Sequence, residues 1–126
     1  MLRLSKLFAT LLLILAASSS AWAQKVEVRF WIDGVCGMCE ERIETALLNT
    51  KGVWAADWNE KTHEVVVVYN PKKTTELALH QAVAAVGHDT KKVKATDAAY
   101  AKVHGCCKYR SKTVRDQHGT SDGHGH

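Results

Sequence analysis

Around Gly34 the hydrophobic pattern changes its period from two to 3.6, so the chain must pass there from a strand into a helix. Lys25 to Asp33 alternates, with Val26, Val28, Phe30 and Ile32 on one side and Lys25, Glu27 and Arg29 on the other. That is the pattern of a half-buried strand. Beyond Gly34, Glu40 to Thr50 places Ile43, Ala46, Leu47 and Thr50 on one helical face. Glu40 and Glu41 fall in its first turn, where they favour the positive end of the helix dipole, and Gly52 ends it. Val53 to Trp58 and Glu64 to Tyr69 read as two strands joined by the polar run Asn59-Glu60-Lys61-Thr62-His63. Pro71, the only proline, closes the second of them. Thr74 is the expected N-cap of a second helix running to about Val86, with Leu77, Val83 and Val86 facing inward and Gly87 as its stop. A last short strand is expected over His88 to Lys94.

Strand, helix, strand, strand, helix, strand in this order predicts an α+β fold of the ferredoxin-like βαββαβ kind, one antiparallel sheet covered on one face by two helices. A domain of that size buries only about 60% of the surface its unfolded chain exposes, so its core is thin. It is expected to span residues 24–95. Residues 96–110 form a C-terminal extension, with a short helix over Thr96 to His104 leading into Gly105-Cys106-Cys107. From Ser111 to His126 the chain is polar and rich in Gly, Ser, Asp and His, and a disordered tail is expected there.

Residues 1–23 read as a signal peptide, with Arg3 and Lys6 as its basic start, Leu7 to Ala17 as its apolar stretch and Ala21-Trp22-Ala23 as its cleavage site. Removing these 23 of the 126 residues would leave 103. Export is expected, most simply to a bacterial periplasm. The apolar stretch is shorter than the about 20 residues of a membrane-spanning helix, so no stable membrane insertion is expected after cleavage. Without Arg3 and Lys6 the basic residues fall from 17 to 15 against 13 acidic ones, and the net charge from +4 to +2. Basic and acidic residues are mixed along the chain, which gives no support to a nucleic-acid partner.

Cys36-Gly37-Met38-Cys39 lies at the junction of the first strand and the first helix. A helix start offers unpaired N–H groups and a positive dipole end, both of which favour thiolate over thiol. Two thiolates at this spacing converge on one soft cation, and Gly37 lets the loop bend around it. In an oxidising compartment, the four cysteines Cys36, Cys39, Cys106 and Cys107 have three possible pairings, and any free thiol calls for a purpose. If the segment His104-Gly105-Cys106-Cys107 folds back on the loop, it supplies further ligands to a three- or four-ligand pocket for copper(I) or mercury(II). A disulfide to a loop cysteine, or a separate surface site, is the alternative for Cys106 and Cys107. His118, His124 and His126 fall in a Gly-rich stretch and read as a solvated tail. His63 and His80 read as surface or packing residues, and Trp31, Trp54 and Trp58 as packing residues on strands, an outward-facing one being a candidate docking surface.

The strand, the G-x-C-x-x-C loop, the helix, Gly52-Val53 before the second strand, Tyr69-Asn70-Pro71 after the third and Val86-Gly87-His88-Asp89 before the expected fourth together resemble the heavy-metal-associated domain family. That family includes copper metallochaperones, the N-terminal modules of metal-exporting P-type ATPases and the periplasmic mercuric-ion-binding protein. The resemblance covers about residues 25 to 95. It implies metal binding by Cys36 and Cys39. It also implies a methionine two positions before the first cysteine, packed under the loop, where this chain has Gly34; Met38 is not expected to replace it. The position of His88 approaches the metal loop in such domains, so His88 is a candidate third ligand to copper(I), with a half-exposed histidine at a strand start as the plainer reading.

Three functions follow. One is a non-enzymatic metal-binding protein that binds and transfers copper(I) through Cys36 and Cys39, with a metal-exporting ATPase, an efflux system or another metal-carrying protein as its transient partner. The same scaffold carries mercury(II) in the second, while zinc(II) fits less well because Val35 precedes Cys36 where zinc-preferring relatives tend to place a carboxylate. A thiol-disulfide oxidoreductase is the third; it lacks the tryptophan before the motif and the facing proline that the thioredoxin pattern expects.

Overall fold

The computed structural model describes residues 24–119; the expected leader, and His124 and His126, lie outside the described residues. Three strands, β1 (Val26–Trp31), β2 (Val53–Trp58) and β3 (Glu64–Tyr69), form one antiparallel sheet in the order β1-β3-β2. β3 is central because its run of four valines suits a pleated surface covered on one face and flanked on both edges. Val65 lies opposite both Phe30 and Trp58, and Val67 opposite Val28 and Ala56. Phe30, Trp58, Val65, Val67 and Tyr69 thus share the covered face and pack against the helices α1 (Gly37–Leu48) and α2 (Glu76–Ala85).

α1 begins three residues before the start its apolar pattern suggested, at Gly37, with Cys36 as its extended N-cap residue. Cys39, Ile43 and Leu47 form its buried face. α2 is capped by Thr75 rather than Thr74: the Thr75 hydroxyl accepts the N–H of Ala78 at 3.2 Å. Leu77, expected to face inward, is 50% exposed. The inward face is centred on Leu79, His80 and Val83, and the His80 ring takes the place against Phe30, 3.9 Å between centroids.

The strand expected over His88 to Lys94 reduces to a single bridge between Ile32 and Thr90. The backbone turns back on itself instead. The N–H of Thr90 donates to the Val93 carbonyl at 2.8 Å, the Thr90 hydroxyl accepts the N–H groups of Lys92 and Val93, and Asp89 accepts the N–H of Ala95 at 2.7 Å. These bonds use groups that a fourth strand would have offered to β1.

The C-terminal extension packs on the domain. α3 (Asp97–Ala101) is capped by Thr96, a short 3-10 turn covers Gly105–Cys107, and α4 (Lys112–Gln117) follows. Val103, Cys107 and Tyr109 join the core. The Tyr109 hydroxyl donates to the Gly87 carbonyl at 2.6 Å and accepts the Asp89 N–H at 3.0 Å. Arg110 grips the Asp89 carboxylate with two nitrogens, at 2.8 and 3.1 Å. Gly87 has φ +99, and a Cβ there would meet a Val103 methyl at 2.6 Å, so a residue without one is needed where the extension crosses the end of α2. Of the tail expected to be disordered from Ser111 to His126, residues 120–126 lie outside the described residues and Lys112–Gln117 form α4. Its Arg115 reaches the Asp33 carboxylate 82 residues away, a tie that local composition does not reveal. Among the described residues no helix is long and apolar enough to cross a membrane.

Candidate metal centre

Because Cys36 is the N-cap of α1, its carbonyl accepts the N–H groups of Cys39 at 3.0 Å and Glu40 at 3.1 Å, which curls the loop and turns both side chains the same way. The two sulfurs are 3.7 Å apart, Cys36 partly exposed and Cys39 buried. Beneath them lies Trp58. Its indole N–H donates to the carbonyls of Ile32 and His63, and its ring lies so close to Gly34 that a Cβ there would be 3.0 Å from it. The space that the family resemblance gives to a methionine side chain is filled by an indole, and Gly34 is what admits it.

The extension brings the other two thiols to the same place. The Cys107 sulfur is 3.3 Å from that of Cys36, and the Cys106 sulfur 3.9 Å from that of Cys107. The sulfurs of Cys36, Cys106 and Cys107 all lie within 4.8 Å of one another, and all four cysteines are free thiols. One more sulfur stands at the edge: Met38 Sδ, 3.4 Å from the Cys106 thiol.

The four thiols are not equivalent. Burial pushes the Cys36 pKa up, but the N–H groups of Cys39 and Met38 and the thiols of Cys107 and Cys39 outweigh it, and the net shift is downward. Burial raises the Cys39 thiol. It raises Cys107 as well, reinforced by hydrogen bonding to the Cys39 and Cys36 sulfurs and opposed by Arg42. Cys36, half-exposed, is therefore more readily deprotonated than Cys39 or Cys107, whose sulfurs stand beside it. A soft cation that binds there displaces the protons of its neighbours in turn.

His88 does not join this group. It is fully buried, its Nδ1–H donates to the Asp33 carbonyl at 2.8 Å, and its Nε2 accepts from Arg42 at 3.4 Å. Burial lowers its pKa to about 4, so it is a neutral positioning residue that fixes the strand end before the loop. His104 is exposed and lines a groove with Met38 and Arg42, apart from the thiol cluster. His118 does approach the rim, with Nε2 3.1 Å from the Cys106 carbonyl. His63 and His80 are packing residues, stacked on Trp58 and Phe30. Trp58 is buried and Trp31 half-buried, whereas Trp54 is 43% exposed beneath the Lys25 ammonium.

Arg42, which bridges His88 and the Cys107 sulfur, has no motif to announce it; its one signal is a position one helical turn after Cys39. Asp33 and Tyr109 likewise carry no local signal. Their roles depend on partners from distant parts of the chain.

The heavy-metal-associated domain model matches residues 29–89, ending before Cys106 and Cys107. Among solved structures, the chain is similar to a CopZ metallochaperone, with 30% identity over 52% of this chain and 98% of that one and a TM-score of 0.50. It is similar to the N-terminal domain of a potential copper-translocating P-type ATPase from Bacillus subtilis in the Cu(I)-loaded state, with 35% identity over 54% of this chain and 86% of that one and a TM-score of 0.51. Oxidized MerP from Ralstonia metallidurans CH34 is 25% identical over 54% of this chain and 96% of that one, with a TM-score of 0.51. No curated protein matches the chain significantly. With its βαββα core, its C-x-x-C loop at the start of α1 and these similarities, the chain belongs to the heavy-metal-associated domain family.

Proposed function

We propose that this protein is an exported, non-enzymatic carrier that binds copper(I) and passes it on. The observation that carries the reading is the third sulfur: Cys107 stands 3.3 Å from Cys36, whose other neighbour Cys39 is at 3.7 Å. Metal–sulfur bonds of about 2.3 Å put sulfurs about 4.0 Å apart in a trigonal site and about 4.6 Å apart in a linear one. Two of the spacings here need only a small expansion to become trigonal. All the donors in the group are soft sulfurs, which suits a monovalent d10 ion. The copper-loaded ATPase domain to which the chain is similar supports the same cargo.

Transfer proceeds by ligand exchange. A partner's thiolate enters beside the half-exposed Cys36 before Cys39 or Cys107 leaves, so the ion never becomes free. The fitting partner is another metal-handling protein with exposed thiolates, such as a metal-exporting ATPase, an efflux system or another metal-carrying protein. Mercury(II) is the second reading, favoured by the likeness to MerP; its preference for two collinear thiolates fits the 3.3 and 3.7 Å spacings less well. Competition of the reduced protein with copper(I), mercury(II) and zinc(II) chelators tests the proposal. Copper(I) is expected to bind tightly and to lose that binding in Cys36→Ser; zinc(II) outranking copper(I), or an indifferent Cys36→Ser variant, overturns it.

A further inference from the structure

We propose that Met38 and Cys106 form a second, outer soft-metal site at the mouth of the thiol cluster, where a monovalent ion such as copper(I) or silver(I) is first captured. This rests on the carrier reading above and adds an entry point to it. Met38 is 42% exposed in the first turn of α1, and Cys106 is exposed on the extension. Neither side chain is needed by the core. Yet the thioether and the thiol, 68 residues apart in sequence, meet at 3.4 Å. Burial of apolar surface does not account for an open contact of this kind, whereas both atoms are soft donors. A thioether carries no proton and forms no disulfide, so its donor capacity does not depend on pH or on thiol pairing.

The position of Cys106 makes the pair a route as well as a site. Its sulfur is 3.9 Å from Cys107 and within 4.8 Å of Cys36. One thiolate and one neutral thioether hold the ion less strongly than the inner sulfurs, so the gradient runs inward. On capture, the Cys106 thiol gives its proton to water and bonds form from the ion to Cys106 Sγ and Met38 Sδ. On transfer, the bond to Cys36 forms as the bond to Met38 breaks, any Cys36 proton passing to water. The bond to Cys107 then forms as the bond to Cys106 breaks, the Cys107 proton passing to the Cys106 sulfur, and the oxidation state of the ion does not change. His118, whose ring is held at the Cys106 carbonyl, stands beside the mouth.

Silver(I), which needs no reductant, is the probe. The full chain has two methionines, Met1 and Met38, so carbon-13 methyl labelling gives an assignable Met38 resonance, checked by Met38→Leu. In a titration of the reduced protein, the first equivalent is expected to fill the inner sulfurs and the second to move the Met38 methyl. Met38→Leu should lower the stoichiometry from two ions to one while leaving the affinity of the first unchanged. If the first ion binds tightly and the methyl stays still through the second, the outer site is wrong and the carrier reading survives. A methyl that moves with the first equivalent makes Met38 an inner ligand and also overturns the outer site. Absence of tight binding altogether overturns the carrier reading itself.

Discussion

Replacing Tyr109 with phenylalanine removes two hydrogen bonds and leaves the packing in place. The hydroxyl donates to the buried Gly87 carbonyl at 2.6 Å and accepts the Asp89 N–H at 3.0 Å, while the ring stacks on His88 and meets Tyr100 edge-on. Phenylalanine keeps both ring contacts. Each lost bond contributes about 0.5–1.5 kcal/mol, and the two backbone groups are left without a partner, so the expected loss is about 2–3 kcal/mol. Tyr100→Phe is the control: its hydroxyl accepts one N–H, from Arg110 at 3.2 Å, in a half-exposed place, and about 0.5–1 kcal/mol is expected. Burial raises the Tyr109 pKa, so the phenol stays neutral at the pH of the assay. Urea unfolding of the reduced, metal-free protein at neutral pH measures both, with an unchanged m-value as the sign that the unfolded state is the same. Because Tyr109 is two residues from Cys107, its variant should also weaken copper(I) binding, and Tyr100→Phe should do so much less. A loss for Tyr109→Phe no larger than that of the control would refute the view that this hydroxyl fastens the extension to the domain.

Two further outcomes follow from groups around the loop. His88 is held neutral by burial with a pKa of about 4 against an ordinary 6.5, so the unfolded chain takes up a proton over that interval that the folded one refuses. Stability from this group is complete above pH 6.5 and drains as pH falls toward 4, by about 3 kcal/mol in all. Asp33 opposes it: burial raises its carboxyl to about 6, so the folded chain takes up that proton first and gains stability as pH falls from 6 toward 3.8. The wild type therefore shows a muted acid response, and between neutral pH and pH about 4.5 the change in stability should be more favourable in His88→Gln, which keeps the Asp33 gain alone, than in the wild type, by about 2–3 kcal/mol. Equal losses in paired urea titrations would contradict the buried neutral imidazole. Gly34→Met, which restores the side chain usual in the family, should destabilise by about 1–3 kcal/mol in thermal unfolding, because Trp58 already fills that space.

Much of the fold was legible because its signals are local. The two-residue alternation of Lys25 to Asp33 and the valine run of β3 mark strands whose partners are close in sequence. Residues Val53–Trp58 and Glu64–Tyr69 fall where the pattern put them. His88 to Lys94 misled because an extended composition says nothing about whether Thr90 and Asp89 will use the neighbouring N–H groups themselves. α4 was hidden for a related reason: Lys112 to Gln117 has no apolar stripe, and its anchor is Arg115 meeting a buried carboxylate from the other end of the domain. At the site, Cys36 and Cys39 were plain from spacing. The folding back of Cys106 and Cys107 was a conditional expectation, and it is met through Tyr109, Arg110 and Arg115, none of which a motif would have chosen. His88 lies beside the loop, as the family resemblance implies, but is fully buried rather than half-exposed. Its nitrogens meet the Asp33 carbonyl and Arg42, contacts with distant residues that no local pattern shows.

In the proposed carrier, Cys107 completes the metal site of the C-x-x-C loop. X-ray absorption on the reduced protein loaded with one equivalent of copper(I) counts the sulfur ligands directly, and Cys107→Ser is the comparison. Three sulfurs in the wild type falling to two in the variant is the predicted result. Two sulfurs in both would contradict it, leaving Cys36 and Cys39 to hold the ion alone.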